Sequence, residues 1–471
     1  MHDTPIDLLS IERGTVTAPA GCGKTHLIAE ALTCHTGPKP VLVLTHTNAG
    51  VAALRSRLAS AGVPASAFRL MTIDGWVIRL LSMFPERSGA NSSLLQATRP
   101  NYPKIRKAAC CLLKESHLDD IIAANYDRLI VDEYQDCSIP QHAIVFYAAR
   151  VLRTVILGDP MQAIFNWPGN EVAPWNDMVC KHFPLVTELD IPWRWKNADS
   201  EELGQWLLKA RCALVNGQPV DLRAAPPSVQ WIELDGSDDY KRQLGAARTT
   251  SPKAGGSVLV IGDSKKPQSH RDFAARTPGA ATVENVDLRD VTEFAADFDI
   301  NDANALEKII KFAANVMTNV GPDDFVKRVK SLQSGTARNE PNEAEVLALE
   351  FSERPSLARG AALLSEISRM PGVRVFRNEV LRVCLKALNQ CDKDEANSLY
   401  ETAVRFREQS RILGREVPKR AVGSTLLLKG LEADVSVVLD AAHHDAKSLY
   451  VAMTRGSKKL VVCSKTPVLN D

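Results

Sequence analysis

At 471 residues, with 45% hydrophobic and 24% charged side chains, the chain has material for roughly two to four globular domains with buried cores. A net charge of +1 provides no global basic field, so any groove for nucleic acid must be local. No apolar run approaches the roughly 20 residues of a membrane span, and Met1–Ala20 lacks the basic start and apolar stretch of a secretion signal. The ten cysteines are scattered without C-x-x-C spacing, which fits reduced thiols in a cytoplasm, and with no apolar span no membrane partner is expected.

Thr15–Ala18, Val41–Thr45, Leu129–Val131 and Thr154–Leu157 are short apolar runs that predict buried parallel strands. Lys24–Cys34 and Asn48–Ala61 carry apolar residues at helical spacing, and strands alternating with helices predict an open parallel α/β sheet. Between Phe84 and Tyr126 the pattern breaks into a Ser/Asn/Pro-rich loop and a helical stretch, Ile105–Ala123, read as a small insertion over about 79–125. A second α/β unit begins near Leu189, with a helix at Glu201–Asn216 and strands at Val229–Leu234 and Val258–Gly262. From about 290 to 413 the chain is largely helical; strands resume at Leu426–Leu428, Val435–Leu439 and Lys459–Ser464. The expectation is two α/β domains, 1–190 and 191–471, with a helical block nested in the second.

Ala18-Pro-Ala-Gly-Cys-Gly-Lys-Thr25 stands between a predicted strand and a predicted helix, the setting of a phosphate loop. Gly21 and Gly23 allow backbone N–H groups, with those of Ala20 and Cys22, to turn toward phosphate oxygens. Lys24 is then placed for the β- and γ-phosphates and the Thr25 hydroxyl for magnesium, at a helix start that adds positive dipole. A chance glycine turn is the plainer alternative, and Gly-Lys-Thr in this setting argues against it. Ile130-Val-Asp-Glu-Tyr-Gln-Asp136 follows the apolar end of another strand. Asp132 suits magnesium held through water, and Glu133 suits a general base for the attacking water; adjacent carboxylates bring both to one γ-phosphate. Two adjacent acids alone would be an ordinary solvated turn.

With these motifs the chain resembles the UvrD/Rep/PcrA helicases of superfamily 1 over 14–195 and 423–462, in the family's order. Thr45-His-Thr-Asn-Ala49 and Thr72-Ile-Asp-Gly-Trp76 resemble the family's single-stranded DNA contacts, which implies DNA-facing roles for His46, Thr47, Asn48 and Thr72. Gly158-Asp-Pro-Met-Gln-Ala-Ile-Phe-Asn-Trp167 resembles the motif that couples γ-phosphate to DNA: Gln162 would sense phosphate, and Phe165 and Trp167 would stack on bases. Pro192-Trp-Arg194 stands where the family has Asn-Tyr-Arg, implying Trp193 on adenine and Arg194 on the γ-phosphate. Lys429-Gly-Leu-Glu432 resembles the ribose-binding motif, with Glu432 on the ribose. Tyr450-Val-Ala-Met-Thr-Arg455 resembles the last motif, with Arg455 as a second arginine on the γ-phosphate. The resemblance implies two RecA-like parallel-sheet domains with the ATP site between them, each carrying a small mainly helical insertion. It also implies ATP and Mg2+ as ligands, single-stranded or partly duplex DNA as partner, and 3′ to 5′ movement.

Several positions depart from the pattern. His2–Arg13 holds no glutamine to read adenine. His46 replaces a phenylalanine, Asp74 a histidine, Pro168 an arginine and Leu426 a histidine. A carboxylate at Asp74 would disfavour nearby DNA phosphate. The nucleotide chemistry is thus better preserved than the DNA coupling. Compact helicases of this kind occur in bacteria beside ATP-dependent nucleases, as in the Gabija anti-phage system. The alternative function is therefore a DNA-stimulated ATPase subunit that regulates a nuclease partner and unwinds little itself.

Overall fold

A computed structural model gives the structure of residues 6–88, 94, 100–165, 169–392, 398–413 and 417–470. Two compact units are present: Met1–Trp231 with His444–Leu460 and Thr466–Asp471, and Ile232–His443 with Val461–Lys465. No helix among the described residues is long and apolar enough to cross a membrane.

The first unit is built on a six-stranded sheet of β1 (Arg13–Thr17), β2 (Val41–Thr45), β3 (Phe68–Thr72), β4 (Arg128–Val131), β5 (Arg153–Gly158) and β6 (Leu185–Glu188). Its order is β3-β2-β4-β5-β1-β6 and every pairing is parallel. The run Val41–Thr45 is apolar because both faces of β2 are covered. Val41 and Val43 join Ile28, Leu32, Leu54 and Leu58 in one core, while Leu42 and Leu44 join Trp76, Leu80 and Ile144 in the other. Each such fully buried side chain contributes roughly 1.5–3 kcal/mol. The helices on these faces start where short polar side chains cap them. Thr47 Oγ1 accepts the Gly50 N–H at 3.0 Å ahead of Asn48–Ser60, and Thr72 Oγ1 accepts the Gly75 N–H at 2.9 Å ahead of Ile73–Met83. The phosphate loop, His46, the acidic pair and the Gln162 turn follow carboxyl ends of parallel strands, and Thr72 is itself such an end, the edge where open α/β sheets hold ligands.

The first unit continues past the expected boundary at 190. Ile191–Trp231 and the helix Ala446–Met453 group with it, joined to the phosphate loop by hydrogen bonds described below. The helical stretch expected over Ile105–Ala123 is two helices, Tyr102–Lys114 and Asp119–Asn125, separated where Ser116 takes a left-handed conformation, φ 59°.

The second sheet consists of β7 (Val229–Glu233), β8 (Val258–Gly262), β9 (Ala280–Thr282), β10 (Arg420–Ser424), β11 (Ala433–Val438) and β12 (Gly456–Ser464), in the order β9-β10-β8-β11-β12-β7. Its β9–β10, β10–β8 and β8–β11 pairings are parallel. With helices on the sheets, the two layers are RecA-like. Between β9 and β10 lies the helical block, from Arg289–Asp297 to Leu399–Leu413, with its own core of Ile309, Ile310, Phe351, Leu364 and Leu388. Leu426–Leu428 is not the expected strand. It forms the helix Thr425–Leu428, capped by Ser424 Oγ on the Leu427 N–H at 3.3 Å, and the strand is the preceding Arg420–Ser424. Three leucines in a row carry no period, and the capping serine decides the local structure.

Candidate functional site

The phosphate loop leaves β1 and enters the helix Lys24–Cys34 through two glycines in left-handed conformation, Gly21 (φ 72°) and Gly23 (φ 88°). Both positions also exclude a side chain. A Cβ on Gly21 would lie 2.5 Å from Cζ3 of Trp195, and one on Gly23 would lie 3.0 Å from Cδ1 of Trp193. The short helix Trp193–Lys196 is therefore pressed against the loop, and the Arg194 N–H donates to the Gly21 carbonyl at 3.0 Å. Cys22 is buried, and burial pushes its thiol up to about 12, so it stays protonated.

Lys24 Nζ lies 2.5 Å from Glu133 Oε1 and 3.1 Å from Asp132 Oδ1. Burial opposes the lysine's charge, but the two carboxylates outweigh it and hold Lys24 above its ordinary range. Burial raises the Asp132 carboxyl, with Lys24 pulling the other way. Glu133 itself sits at φ 53°, an uncommon conformation for a residue with a side chain, at the turn off β4. Gln135 Nε2 donates to Glu133 Oε2 at 2.5 Å, and its Oε1 accepts the Asp159 N–H at 3.1 Å. Gln162 Nε2 in turn donates to Asp159 Oδ2 at 3.1 Å. Thr25 Oγ1 accepts from Arg57 Nη1 at 3.1 Å. A hydroxyl and a carboxylate are hard oxygen donors that suit magnesium alongside phosphate oxygens, so Thr25 and Asp132 fit that ion.

Both candidate arginines lie in the first unit. Arg194 is half-buried, and its Nη1 donates to the Thr454 carbonyl at 2.7 Å. Arg455 is buried, with Nε on the Val451 carbonyl at 2.8 Å and Nη2 on Thr454 Oγ1 at 3.1 Å. Trp195 Nε1 donates to the Gly456 carbonyl at 2.9 Å, and the Ala20 N–H donates to Tyr450 Oη at 3.0 Å. Trp193 is 42% exposed beside the loop, with Lys196 Nζ 5.3 Å from its ring centre. Glu432 belongs to the second unit, where it is exposed, with the half-buried Lys429, in the turn between Thr425–Leu428 and β11.

Of the candidate nucleic-acid contacts, His46 and Phe165 are half-buried with ring centres 5.8 Å apart. Thr47 and Asn48 are exposed and Thr72 is half-buried; the two threonines also cap helices. Trp167 and Pro168 lie outside the described residues. Asp74 meets Arg106 and Gln141 rather than standing open toward a phosphate. Sequence reasoning assigned no role to Gln135, Asp159, Trp195, Arg211 or Tyr450. Gln135, Asp159 and Tyr450 lay inside quoted motifs. Arg211, in the middle of a long helix, gave no local signal.

Residues 8–168 match the family model of the AAA domain. A comparison with curated proteins gives no match. Among solved structures, the chain is similar to the arterivirus nonstructural protein 10 helicase with DNA, at 12% identity and TM-score 0.29, over 53% of this chain and 47% of that one. It is similar to the Bacteroides Pif1 helicase in complex with ADP-AlF3 and single-stranded DNA, at 14% identity and TM-score 0.29, over 57% and 54%. The alignments thus take in about half the length of these two proteins. The Candida albicans Pif1 helicase aligns over 97% of this chain and 92% of its own, at 13% identity and TM-score 0.40.

Proposed function

We propose that the chain is an ATP-driven nucleic-acid motor of the superfamily 1 helicase type, moving 3′ to 5′ on single-stranded DNA. The observation that carries this reading is one hydrogen-bonded assembly within the first unit. It joins the phosphate loop to the arginine-bearing segments through Arg194 N–Gly21 O and Ala20 N–Tyr450 Oη, and the acidic pair to Gln162 through Gln135 and Asp159. The AAA domain match over 8–168 supports nucleotide hydrolysis as its chemistry.

In this reading Lys24 exchanges its carboxylate partners for the β- and γ-phosphates, which frees Glu133 to orient and deprotonate the attacking water. Thr25 and Asp132 would hold magnesium, which would supply positive charge to the phosphates. Arg194 and Arg455 add positive charge where negative charge develops on the transferring group. Trp193 would stack on adenine. Gln162 is linked to Glu133 through Asp159 and Gln135 and shortly precedes Phe165 in the chain, so a change at phosphate would reach bases stacked on that ring, at roughly 1–3 kcal/mol per base.

A second reading, an ATPase subunit that regulates a nuclease and unwinds little, is favoured by Leu426. That side chain is 41% exposed where the family has a histidine, and it offers no hydrogen bond or charge to a phosphate. ATP hydrolysis measured with and without single-stranded DNA, followed by strand displacement on a 3′-tailed duplex, separates the readings. Hydrolysis with displacement supports the motor, and DNA-stimulated hydrolysis without displacement supports the regulatory subunit.

A further inference from the structure

We infer that Arg211 is a positioning residue for the γ-phosphate sensor, acting through Asp159; this rests on the motor reading above. Arg211 lies in the helix Glu201–Val215, outside every motif of the site, yet its side chain is buried. Its Nε and Nη2 donate to Asp159 Oδ1 at 3.2 and 2.9 Å, and its Nη1 donates to Glu188 Oε1 at 2.6 Å at the end of β6.

Asp159 is the first residue after β5 and is fully buried. Four donors converge on its carboxylate from three directions: two from Arg211, the Met161 N–H at 3.1 Å, and Gln162 Nε2 at 3.1 Å on the other oxygen. The Asp159 backbone N–H meanwhile donates to Gln135, which holds Glu133. One buried carboxylate thus sets both the sensor amide and, through Gln135, the general base. A carboxylate removed from water needs a cation or it is expelled or protonated. Among these four donors only the guanidinium supplies that charge. Burial opposes the Arg211 charge, but the pull of Asp159 outweighs it, so Arg211 stays charged. A single-point ammonium would not give the same two-point fork.

Removing the guanidinium should let the 158–163 turn shift, and with it the Gln162 amide. A small misplacement of a reacting group slows chemistry more than it weakens substrate binding. The test uses the full chain with Arg211→Gln, Arg211→Lys and the double variant Asp159→Asn/Arg211→Gln. The double variant removes both buried charges, and Glu188, which also loses Arg211, is 46% exposed and stays solvated, so no buried ion is left unpaired to unfold the protein.

Hydrogen exchange reads positioning even without turnover. Faster exchange confined to 133–135 and 158–163 in a folded single or double variant is expected, and unchanged exchange there overturns the inference. In hydrolysis assays the double variant should lose about tenfold or more in kcat with the KM for ATP little changed, and Arg211→Lys should recover part of it. A folded double variant with native kcat overturns the inference, since the pair would then only support the fold. Failure of the motor reading looks different: the native chain would show no hydrolysis dependent on Lys24, whatever the exchange result.

Discussion

Asp74 and Arg106 meet in a two-point fork, with Nε on Oδ1 and Nη2 on Oδ2 both at 2.7 Å, and Gln141 Nε2 adds a third donor to Oδ2 at 3.2 Å. The carboxylate that sequence reasoning found unfavourable beside DNA is therefore neutralised by a helix of the insertion, Tyr102–Lys114. Arg106→Gln should expose that charge next to Thr72. Loss of a partner from a half-buried carboxylate costs about 1–3 kcal/mol, so the melting temperature should fall by several degrees. The single-stranded DNA concentration for half-maximal stimulation should rise, with the KM for ATP unchanged, and Asp74→Asn/Arg106→Gln should reverse the DNA defect. A half-maximal concentration that does not move in Arg106→Gln would show that the fork has nothing to do with DNA.

Arg194→Ala and Arg455→Ala should each cut kcat by roughly a hundredfold while changing ATP affinity little, because developing charge is their main target. Arg455 is buried and bonded to Val451 and Thr454, so its variant should also melt lower, whereas Arg194 is half-buried and should melt closer to the native chain. Mixing the two variants should restore nothing, since both arginines serve the same chain. Recovery on mixing would mean a site shared between subunits.

Phe165 lies 5.8 Å from His46, ring centre to ring centre, and both are half-buried. Phe165→Ala should leave basal hydrolysis near native and reduce its stimulation by DNA. If the ring is instead a core residue, its truncation costs about 3–5 kcal/mol and the melting temperature collapses. Lost stimulation at a native melting temperature supports the stacking role; a collapsed melting temperature or intact stimulation contradicts it.

The parts of this account legible in the sequence are those with a local signature. The phosphate loop, the acidic pair and strands such as Val41–Thr45 depend on residue type and spacing over a few positions. β3, Phe68–Thr72, is only partly buried and so lacks a continuous apolar run, and β9 is three residues long. The Asp74–Arg106 fork and the Arg211–Asp159 pair join residues distant in sequence, and no periodicity points from one partner to the other. Nor did the motifs reveal that the helix Ala446–Met453 packs with the first unit, because that follows from contacts such as Ala20 with Tyr450.

From the acidic box runs a chain in which Tyr134 Oη and His142 Nδ1, both buried, are 2.8 Å apart, and His142 Nε2 and Nδ1 of the half-buried His182 are 2.8 Å apart. Burial first, then His182 and Arg13, lowers His142 from an ordinary 6.5 to about 4. The native chain therefore keeps His142 neutral where the unfolded chain takes up a proton. Its contribution to stability is complete above about pH 6.5 and is lost as pH falls toward 4, at most about 3 kcal/mol. The melting temperature should fall from pH 7 to pH 5, and His142→Gln should flatten that slope. Identical slopes in the two proteins would contradict a neutral buried His142.

Nucleotide hydrolysis at Lys24 is expected to be coupled to single-stranded DNA. The most direct test of this coupling is steady-state ATP turnover of the native chain and of Lys24→Ala, each with and without a single-stranded oligonucleotide. The expected result is native turnover that rises with DNA and turnover by Lys24→Ala that is lost in both conditions, since the phosphates lose their main cation. Hydrolysis by Lys24→Ala at the native rate, or native turnover indifferent to DNA, would contradict it.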